Sequence, residues 1–261
     1  MTKVVAIALN TFREAVRNKI LYSLVMFAAV LILGSLILGE FTLGQGVRLT
    51  RDLGLYGIDI FGVLIAIFLG VNMLYKELQL KTVYTILPKP IARYQFVLGK
   101  WLGLVFTLAL QVVVMGAVLQ LALLVQGTGI EAAVMKALWL LLINVVVVTS
   151  IALAFSAFST PFLSGVFSLG IFAVGRATPD FVEMGRRAGG VAEVAVGLAV
   201  KVIPNLHLFF PSGAVVGAKH VSVHAALVDM RYMVFTTIYG LGYSVMAVAV
   251  AIIIFRKRDF I

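Results

Sequence analysis

Residues 75–101 read YKELQLKTVYTILPKPIARYQFVLGKW and separate two long runs rich in Val, Leu, Ile and Phe. This stretch contains five Lys or Arg residues, one Glu and two Pro. Apolar runs of about 20 residues are typical of transmembrane helices, whereas charged residues between such runs are typical of loops outside the bilayer. The stretch therefore predicts a polar connection between two membrane spans.

The composition of the whole chain agrees with a membrane protein. The 261 residues are 62% hydrophobic and only 12% charged, and the mean hydropathy is +1.11. Soluble domains are about one quarter charged. We therefore predict an all-α integral membrane protein in which residues 1–261 form a single transmembrane domain, because no linker divides the chain.

Two features of the composition exclude classes of function. The chain has no cysteine, which excludes disulfides and thiolate metal sites. Its net charge of +10 could indicate nucleic-acid binding, but basic residues of membrane proteins gather near anionic headgroups. No basic residues alternate with exposed aromatic residues as stacking on bases requires, so the lipid bilayer and not nucleic acid is the expected partner.

Hydropathy and length predict six transmembrane helices, preceded by an N-terminal helix in residues 1–18. The N-terminal helix has an apolar stripe and a charged face, which favours a position in the membrane interface, although it could also be the start of the first span. The six predicted spans are residues 20–39, 58–75, 97–125, 137–157, 162–176 and 231–255.

An even number of spans places both termini on the same side of the membrane. With cytoplasmic termini, 12 of the 21 Lys and Arg residues lie inside, in the N-terminal segment, the stretch at 75–101 and the C-terminal FRKRDFI. Positive residues concentrate on the cytoplasmic side of membrane proteins. We therefore predict a multi-pass protein of the inner (plasma) membrane with cytoplasmic termini.

The outer segment, residues 176–231, is long enough for two spans but contains three prolines and several charged residues. Residues 191–203 are apolar but short, and they include Glu193 and Lys201. We interpret this region as a re-entrant helix or helical hairpin that dips into the outer leaflet between spans five and six. Seventh and eighth spans are the competing interpretation.

The polar residues at membrane depth do not form a recognisable catalytic set. Asp59 lies within two residues of the predicted start of span two, which favours a helix cap or an interfacial position. Gln111 and Gln120 lie nine residues apart on opposite helix faces, so we expect them to bond to neighbouring helices. His220 and His224 have the spacing of two metal ligands on one helical turn, but no third ligand is near, so we predict no metal site.

The stretch at 75–101 carries an apolar face of its own. Apolar residues alternate with Lys81, Thr82 and Thr85 until two prolines end any helix, and Arg93 to Lys100 begin the next one. Lys100 and Trp101 have the residue types that anchor a span at the interface. A solvated loop needs no apolar face, which favours a docking element.

Seven residues of this stretch resemble the first cytoplasmic loop of ABC-2 type transporter permeases. They follow the pattern E-(x)4-T-(x)4-L-x-x-P-x-x-R-(x)5-G-K, formed by Glu77, Thr82, Leu87, Pro90, Arg93, Gly99 and Lys100. The N-terminal helix, the six predicted spans, the segment IPNLHLFFP before the last span and the ending FRKRDFI are also similar to this family. The resemblance covers almost the whole chain.

The resemblance implies a permease subunit that dimerises with a second copy or with a homologous permease and binds two copies of a separate ABC ATPase. Residues 76–96 would form the coupling loop, and residues 158–164 would make a smaller contact with the ATPase. Lys100 and Trp101 would anchor the third span. The residues expected to dock on the ATPase or to hold the frame of the loop are Glu77, Leu80, Thr82, Val83, Ile86, Leu87, Pro90 and Arg93.

Two functions are compatible with this resemblance. The first is export across the membrane, driven by ATP hydrolysis in the partner. The second is mechanotransmission without cargo, in which the outer segment moves a periplasmic envelope partner. The chain has no phosphate-binding G-x-x-x-x-G-K-[ST] motif, so we expect a non-catalytic subunit without cofactors, with ATP and Mg bound by the partner ATPase. An integral-membrane enzyme is a third class, for which no catalytic residues were found.

Overall fold

The protein is a helical, multi-pass membrane protein. The computed structural model describes residues 3–40, 46–79, 92–210, 214–216, 219–221 and 229–257. Nine α-helices lie within these residues. They are α1 (Lys3–Val16), α2 (Lys19–Glu40), α3 (Gly46–Gln79), α4 (Arg93–Val125), α5 (Ala132–Ser156), α6 (Pro161–Arg176), α7 (Thr178–Ala188), α8 (Gly190–Val202) and α9 (Met230–Lys257).

Five of these helices are long and apolar enough to cross a membrane. A helix satisfies its own backbone hydrogen bonds, which is a condition for crossing hydrocarbon. The spans lie in α2, α3, α4, α5 and α9. The fifth predicted span, residues 162–176, corresponds to α6, which has only 16 residues and continues into α7 after a bend of 67°. The described residues therefore contain five spans, or six when this bent pair is counted as one.

The predicted start of the second span, residue 58, was wrong by about three helical turns. Helix α3 begins at Gly46 and includes Arg51, although hydropathy alone places these residues in a loop. The Arg51 guanidinium forms an ion pair with Glu131, which directly precedes α5. The ion pair offsets the cost of placing the Arg51 charge in a mostly buried helix.

Helices α3 and α5 form the centre of the structure. In each of them 72% of the span is buried inside the protein, whereas only 22% of the α2 span is buried. Helix α5 packs mainly against α3 and α9, and α2 covers one side of α3. The buried residues form two apolar clusters, one toward each end of the spans.

Helix α1 packs closely against α4 through two glycines one turn apart. A Cβ atom at Gly103 would lie 2.5 Å from the carbonyl oxygen of Ala8, and a Cβ at Gly99 would lie 2.7 Å from the Cβ of Ile7. Small residues at this spacing allow helix backbones to approach one another. The amphipathic α1 thus buries one face on α4, and its interfacial location stays a prediction.

The described part of the outer segment forms a short helical hairpin. Helices α7 and α8 pack together, and Gly185 of α7 contacts Val196 of α8. The turn between them requires glycine, because Gly189 and Gly190 have φ angles of 65° and 58°. A helical hairpin was one of the predicted forms of this region, and its entry into the membrane stays a prediction.

A small antiparallel β-ladder follows this hairpin along the chain. Strand β1 (Ala214–Val216) pairs with β2 (Lys219–Val221), and Val215 lies opposite His220. The ladder lies between the helical hairpin and α9 in the sequence. It was not predicted, because three-residue strands carry too little periodicity to be recognised.

We expect Gly103→Ala to lower the free energy of unfolding by about 1–3 kcal/mol, because the new methyl group would overlap a backbone oxygen that no rotamer change can move. The measurement is the melting temperature of the purified protein in detergent micelles. Gly242→Ala is the matched control, because Gly242 lies in α9 with no neighbouring atom within 4 Å. Equal effects at the two positions would contradict the close contact between α1 and α4.

Candidate functional site

The predicted coupling loop lies mostly outside the described residues. This applies to Leu80, Thr82, Val83, Ile86, Leu87 and Pro90. Glu77 lies in the last turn of α3, and Arg93 is the first residue of α4. The structure therefore describes the two helices that carry the loop, and the docking role of the loop residues stays a prediction.

Arg93 joins the start of α4 to the end of α9. Its Nη1 atom donates hydrogen bonds to the backbone oxygens of Arg256, at 2.9 Å, and of Phe255, at 3.4 Å. The last carbonyl groups of a helix have no partner within the helix, and a cation stabilises them. The Phe96 ring also stacks on the Phe255 ring, with centroids 6.0 Å apart. The end of the predicted loop is thus attached to the last helix of the chain.

Lys100 and Trp101 attach the same end of α4 to two further helices. Lys100 is only 2% exposed, and its Nζ atom lies 3.6 Å from the Glu14 carboxylate of α1. The indole Nε1 of Trp101 donates a hydrogen bond of 2.8 Å to Ser150 of α5. Their role as anchors in the lipid interface stays a prediction, and their described contacts are with other helices.

These four residues, Arg93, Phe96, Lys100 and Trp101, form what we call the α4 base. They connect α4 to α9, α1 and α5 within three helical turns of its first residue. A displacement of the loop at this end would therefore act on four helices together. Sequence analysis identified three of the residues but not their contacts, which join segments 49 to 163 residues apart.

A second polar site lies deeper in the protein and was not recognised from the sequence. It consists of Asp59 in α3, Asn144 in α5 and Arg176 at the end of α6, which we call the mid-span cluster. Asn144 Nδ2 donates a hydrogen bond of 2.7 Å to Asp59 Oδ1. Arg176 Nη1 lies 2.9 Å from Asp59 Oδ2, an ion pair without the alignment of a hydrogen bond.

The position of Asp59 corrects the interpretation as a helix cap or interfacial residue. Its side chain is only 1% exposed, and it lies 13 residues from each end of the span Gly46–Asn72. Asn144 likewise lies 12 residues from each end of the span Ala132–Ser156. Both residues therefore lie within membrane-spanning helices, away from the helix ends. An ionisable residue within a span is a candidate functional site.

Arg176 is held by more than its ion pair. Its guanidinium lies 3.9 Å from the ring centroid of Phe210, a close cation–π contact. His207 lies nearby, and burial, together with the Arg176 charge, lowers the pKa of His207 below its ordinary value.

The prediction that Gln111 and Gln120 bond between helices was wrong. Gln111 Nε2 contacts the sulfur of Met115 on the same helix, and Gln120 Nε2 donates to the backbone oxygen of Gly129, just after that helix. Within the described residues, the Oε1 atoms of both side chains and the Oδ1 atom of Asn144 are buried without a donor. Buried hydrogen-bond acceptors normally have a donor, so each of these oxygen atoms could accept a further hydrogen bond within the spans.

The described residues contain no group of three His, Cys, Asp or Glu residues that could hold a metal ion. His220 lies in β2, and His224 lies outside the described residues.

No protein-family model and no curated protein matches this chain. The functional interpretation therefore depends on the loop pattern and on the geometry of the two sites.

Removing both charges of the mid-span pair should cost less stability than the two single removals added together. We expect Asp59→Asn or Arg176→Gln alone to lower the free energy of unfolding by about 3–5 kcal/mol, because each leaves one buried charge without its partner. The double variant should lose clearly less than the sum of the two single losses. Melting in detergent micelles measures all three variants.

The control for this cycle is Arg186→Gln, because Arg186 is exposed in α7. Substitution of an exposed residue without buried partners should change the free energy of unfolding by no more than about 0.5 kcal/mol. Strictly additive losses for the two members of the pair would show that they are not coupled.

Proposed function

We propose that the chain is the transmembrane permease subunit of an ABC transporter, which couples ATP hydrolysis by a separate ATPase to export. The observation that carries this proposal is the α4 base, found at the end of the loop that resembles the ABC-2 coupling loop. A loop that receives force from another protein must be attached to helices that move together. The contacts of Arg93, Lys100 and Trp101 attach the end of this loop to α9, α1 and α5.

The other end of the loop has the properties of a lever. Helix α3 is continuous from Gly46 to Gln79, and its last four residues, KELQ at 76–79, follow the apolar run of the span. Four residues of helix project about 6 Å. Movement of an ATPase beneath the loop would act on this projection, and the same helix carries Asp59 at its centre. The ion pair between Asp59 and Arg176 would then transfer the movement of α3 to α6 and α7, the two helices of the bent pair.

The arrangement of helix ends supports a sixth crossing of the membrane. Arg93 places the C-terminal end of α9 beside the start of α4, and Trp101 places the C-terminal half of α5 at the same level. Both α5 and α9 therefore run toward the same side. We infer that the chain crosses to the other side between Ser156 and Met230, through α6 and the residues that follow it.

An even number of crossings and the distribution of positive residues together support cytoplasmic termini in the inner (plasma) membrane. The loop between α3 and α4 then faces the cytoplasm, where an ATPase could bind. The weakly buried α2 exposes a large apolar surface, which is available to lipid and to a second permease subunit. ATP and Mg would be bound by the partner ATPase.

Mechanotransmission is the second candidate, and it is favoured by one observation. The outer hairpin of α7 and α8 follows Arg176 directly, so its position depends on the ion pair with Asp59. A displacement of α3 would therefore be transmitted to the outer segment even without a cargo. In that case the outer segment would act on a periplasmic partner.

Substitution of the apolar face of the loop tests the proposed coupling. We expect Leu80→Asp with Ile86→Asp to abolish co-purification of the cognate ATPase, because two buried carboxylates would oppose docking. ATP turnover of the reconstituted complex should fall to that of the isolated ATPase. Val191→Asp is the control, because Val191 is 86% exposed in the outer segment. Unchanged association and turnover, with a monodisperse protein, would contradict the coupling function.

Proteoliposomes distinguish export from mechanotransmission. If the complex is an exporter, ATP should drive movement of a lipid, peptide or small amphipathic drug across the vesicle membrane, and the coupling variant should abolish this movement. If it transmits force, ATP turnover should instead rise when a periplasmic partner is added and no candidate cargo should move. Cargo movement by the wild type without the ATPase would contradict both functions.

A further inference from the structure

A polar cleft of about 650 Å³ opens between the end of α1 and the end of the α3 span. It lies away from the mid-span cluster and from the contacts of Arg93 and Trp101. Most of its described lining is capable of donating hydrogen bonds. The polar side chains are Arg13 and Arg17, the amides of Asn10, Asn18 and Asn72, and the carboxylate of Glu14, and Leu69 adds an apolar wall.

The cleft carries excess positive charge. Arg13 lies in the last turn of α1, Arg17 follows the last residue of that helix, and both side chains are exposed. Within the described part of the chain neither guanidinium forms an ion pair. The one described carboxylate of the lining, Glu14, is paired with Lys100 at 3.6 Å. The cleft therefore presents two guanidinium groups whose charge Glu14 does not neutralise.

The depth of the cleft corresponds to the lipid headgroups. Arg17 lies in the break between α1 and α2, two residues before Lys19, and Asn72 lies four residues before Lys76, the first charged residue after the apolar run of α3. Both side chains therefore lie where hydrocarbon gives way to the polar region of the membrane. A ligand here would have its polar group in the cleft and any acyl chains beside the spans.

We propose that this cleft binds the phosphate of an anionic phospholipid headgroup. Guanidinium groups bind phosphate oxygens through two parallel hydrogen bonds, and the asparagine amides offer further donors. Basic pockets between membrane helices are suited to anionic headgroups on the cytoplasmic side. The proposal does not depend on the transporter function.

Binding at this position would join α1 to α3. The phosphate would be held by Arg13 and Arg17 at the end of α1 and by Asn72 of α3. The Nδ2 atom of Asn72 already donates a hydrogen bond to the Phe68 oxygen at 2.8 Å. Since an amide nitrogen has two hydrogens, one donor is left for the ligand. The lipid would thus connect the N-terminal helix to the helix that enters the coupling loop.

Lipid binding by the whole chain tests the proposal. The purified protein is delipidated in detergent and titrated with phosphatidylglycerol or phosphatidylcholine, and the bound lipid is counted by native mass spectrometry. We expect selective binding of phosphatidylglycerol. Arg13→Gln with Arg17→Gln should weaken this binding by about tenfold or more, because each charged hydrogen bond contributes at least the 1.4 kcal/mol that equals a factor of ten.

The matched control is Arg186→Gln with Arg187→Gln, which removes the same charge from exposed positions of α7. It should leave phosphatidylglycerol binding unchanged. Arg13→Lys with Arg17→Lys keeps the charge but loses the paired geometry of the guanidinium, so it should bind less tightly than the wild type. Both control results, together with the loss in the glutamine variant, would support a built site.

Three results would overturn the proposal. Equal losses in the two glutamine double variants would show attraction by total charge alone, and full affinity in the lysine variant would show the same. Displacement of phosphatidylglycerol by millimolar inorganic phosphate would assign the cleft to a free anion. Unchanged binding in the Arg13 and Arg17 variants would remove the site altogether, provided that their melting temperatures equal that of the wild type.

Discussion

A carboxylate in the middle of a membrane span must be neutralised by a neighbour, and in this protein Arg176 neutralises Asp59. The requirement has geometric consequences, because the partner must reach the centre of α3 from another helix. Helix α6 ends at that point and the chain bends by 67°, so the short helix and the bend are both placed by one ion pair. Asn144 fixes the second oxygen of the carboxylate and thereby brings α5 into the same arrangement.

The two sites lie at different levels of the helix bundle. The α4 base lies at one end of the spans, the mid-span cluster lies at their centre, and α3 runs past both levels. Neither site contains a group of residues suited to catalysis within the described chain. Their shared property is that each joins helices that are distant in sequence. A displacement of one of these helices would therefore be passed to the others.

Hydropathy was sufficient to place four spans within a few residues, because it reports a local property of the chain. It placed the start of α3 wrongly, since Arg51 is compensated by Glu131, 80 residues away. The burial of Asp59 could not be predicted for the same reason, because its cation lies 117 positions later in the sequence. The glutamines show the opposite case, since their partners were expected on other helices and lie nearby in the chain. Side-chain pairing across long separations is therefore the information that a single sequence did not supply.

The close packing of α1 on α4 also bears on how the protein is assembled. Gly99, Gly103 and Lys100 provide the surface that α1 requires, and all three are synthesised long after α1 has left the ribosome. During that interval α1 has no helix to bury its apolar face, and an amphipathic helix in this state rests on the membrane surface. Docking of α1 onto α4 therefore occurs only after α4 has been inserted. Helix α1 therefore reaches its final position later than its place in the sequence implies.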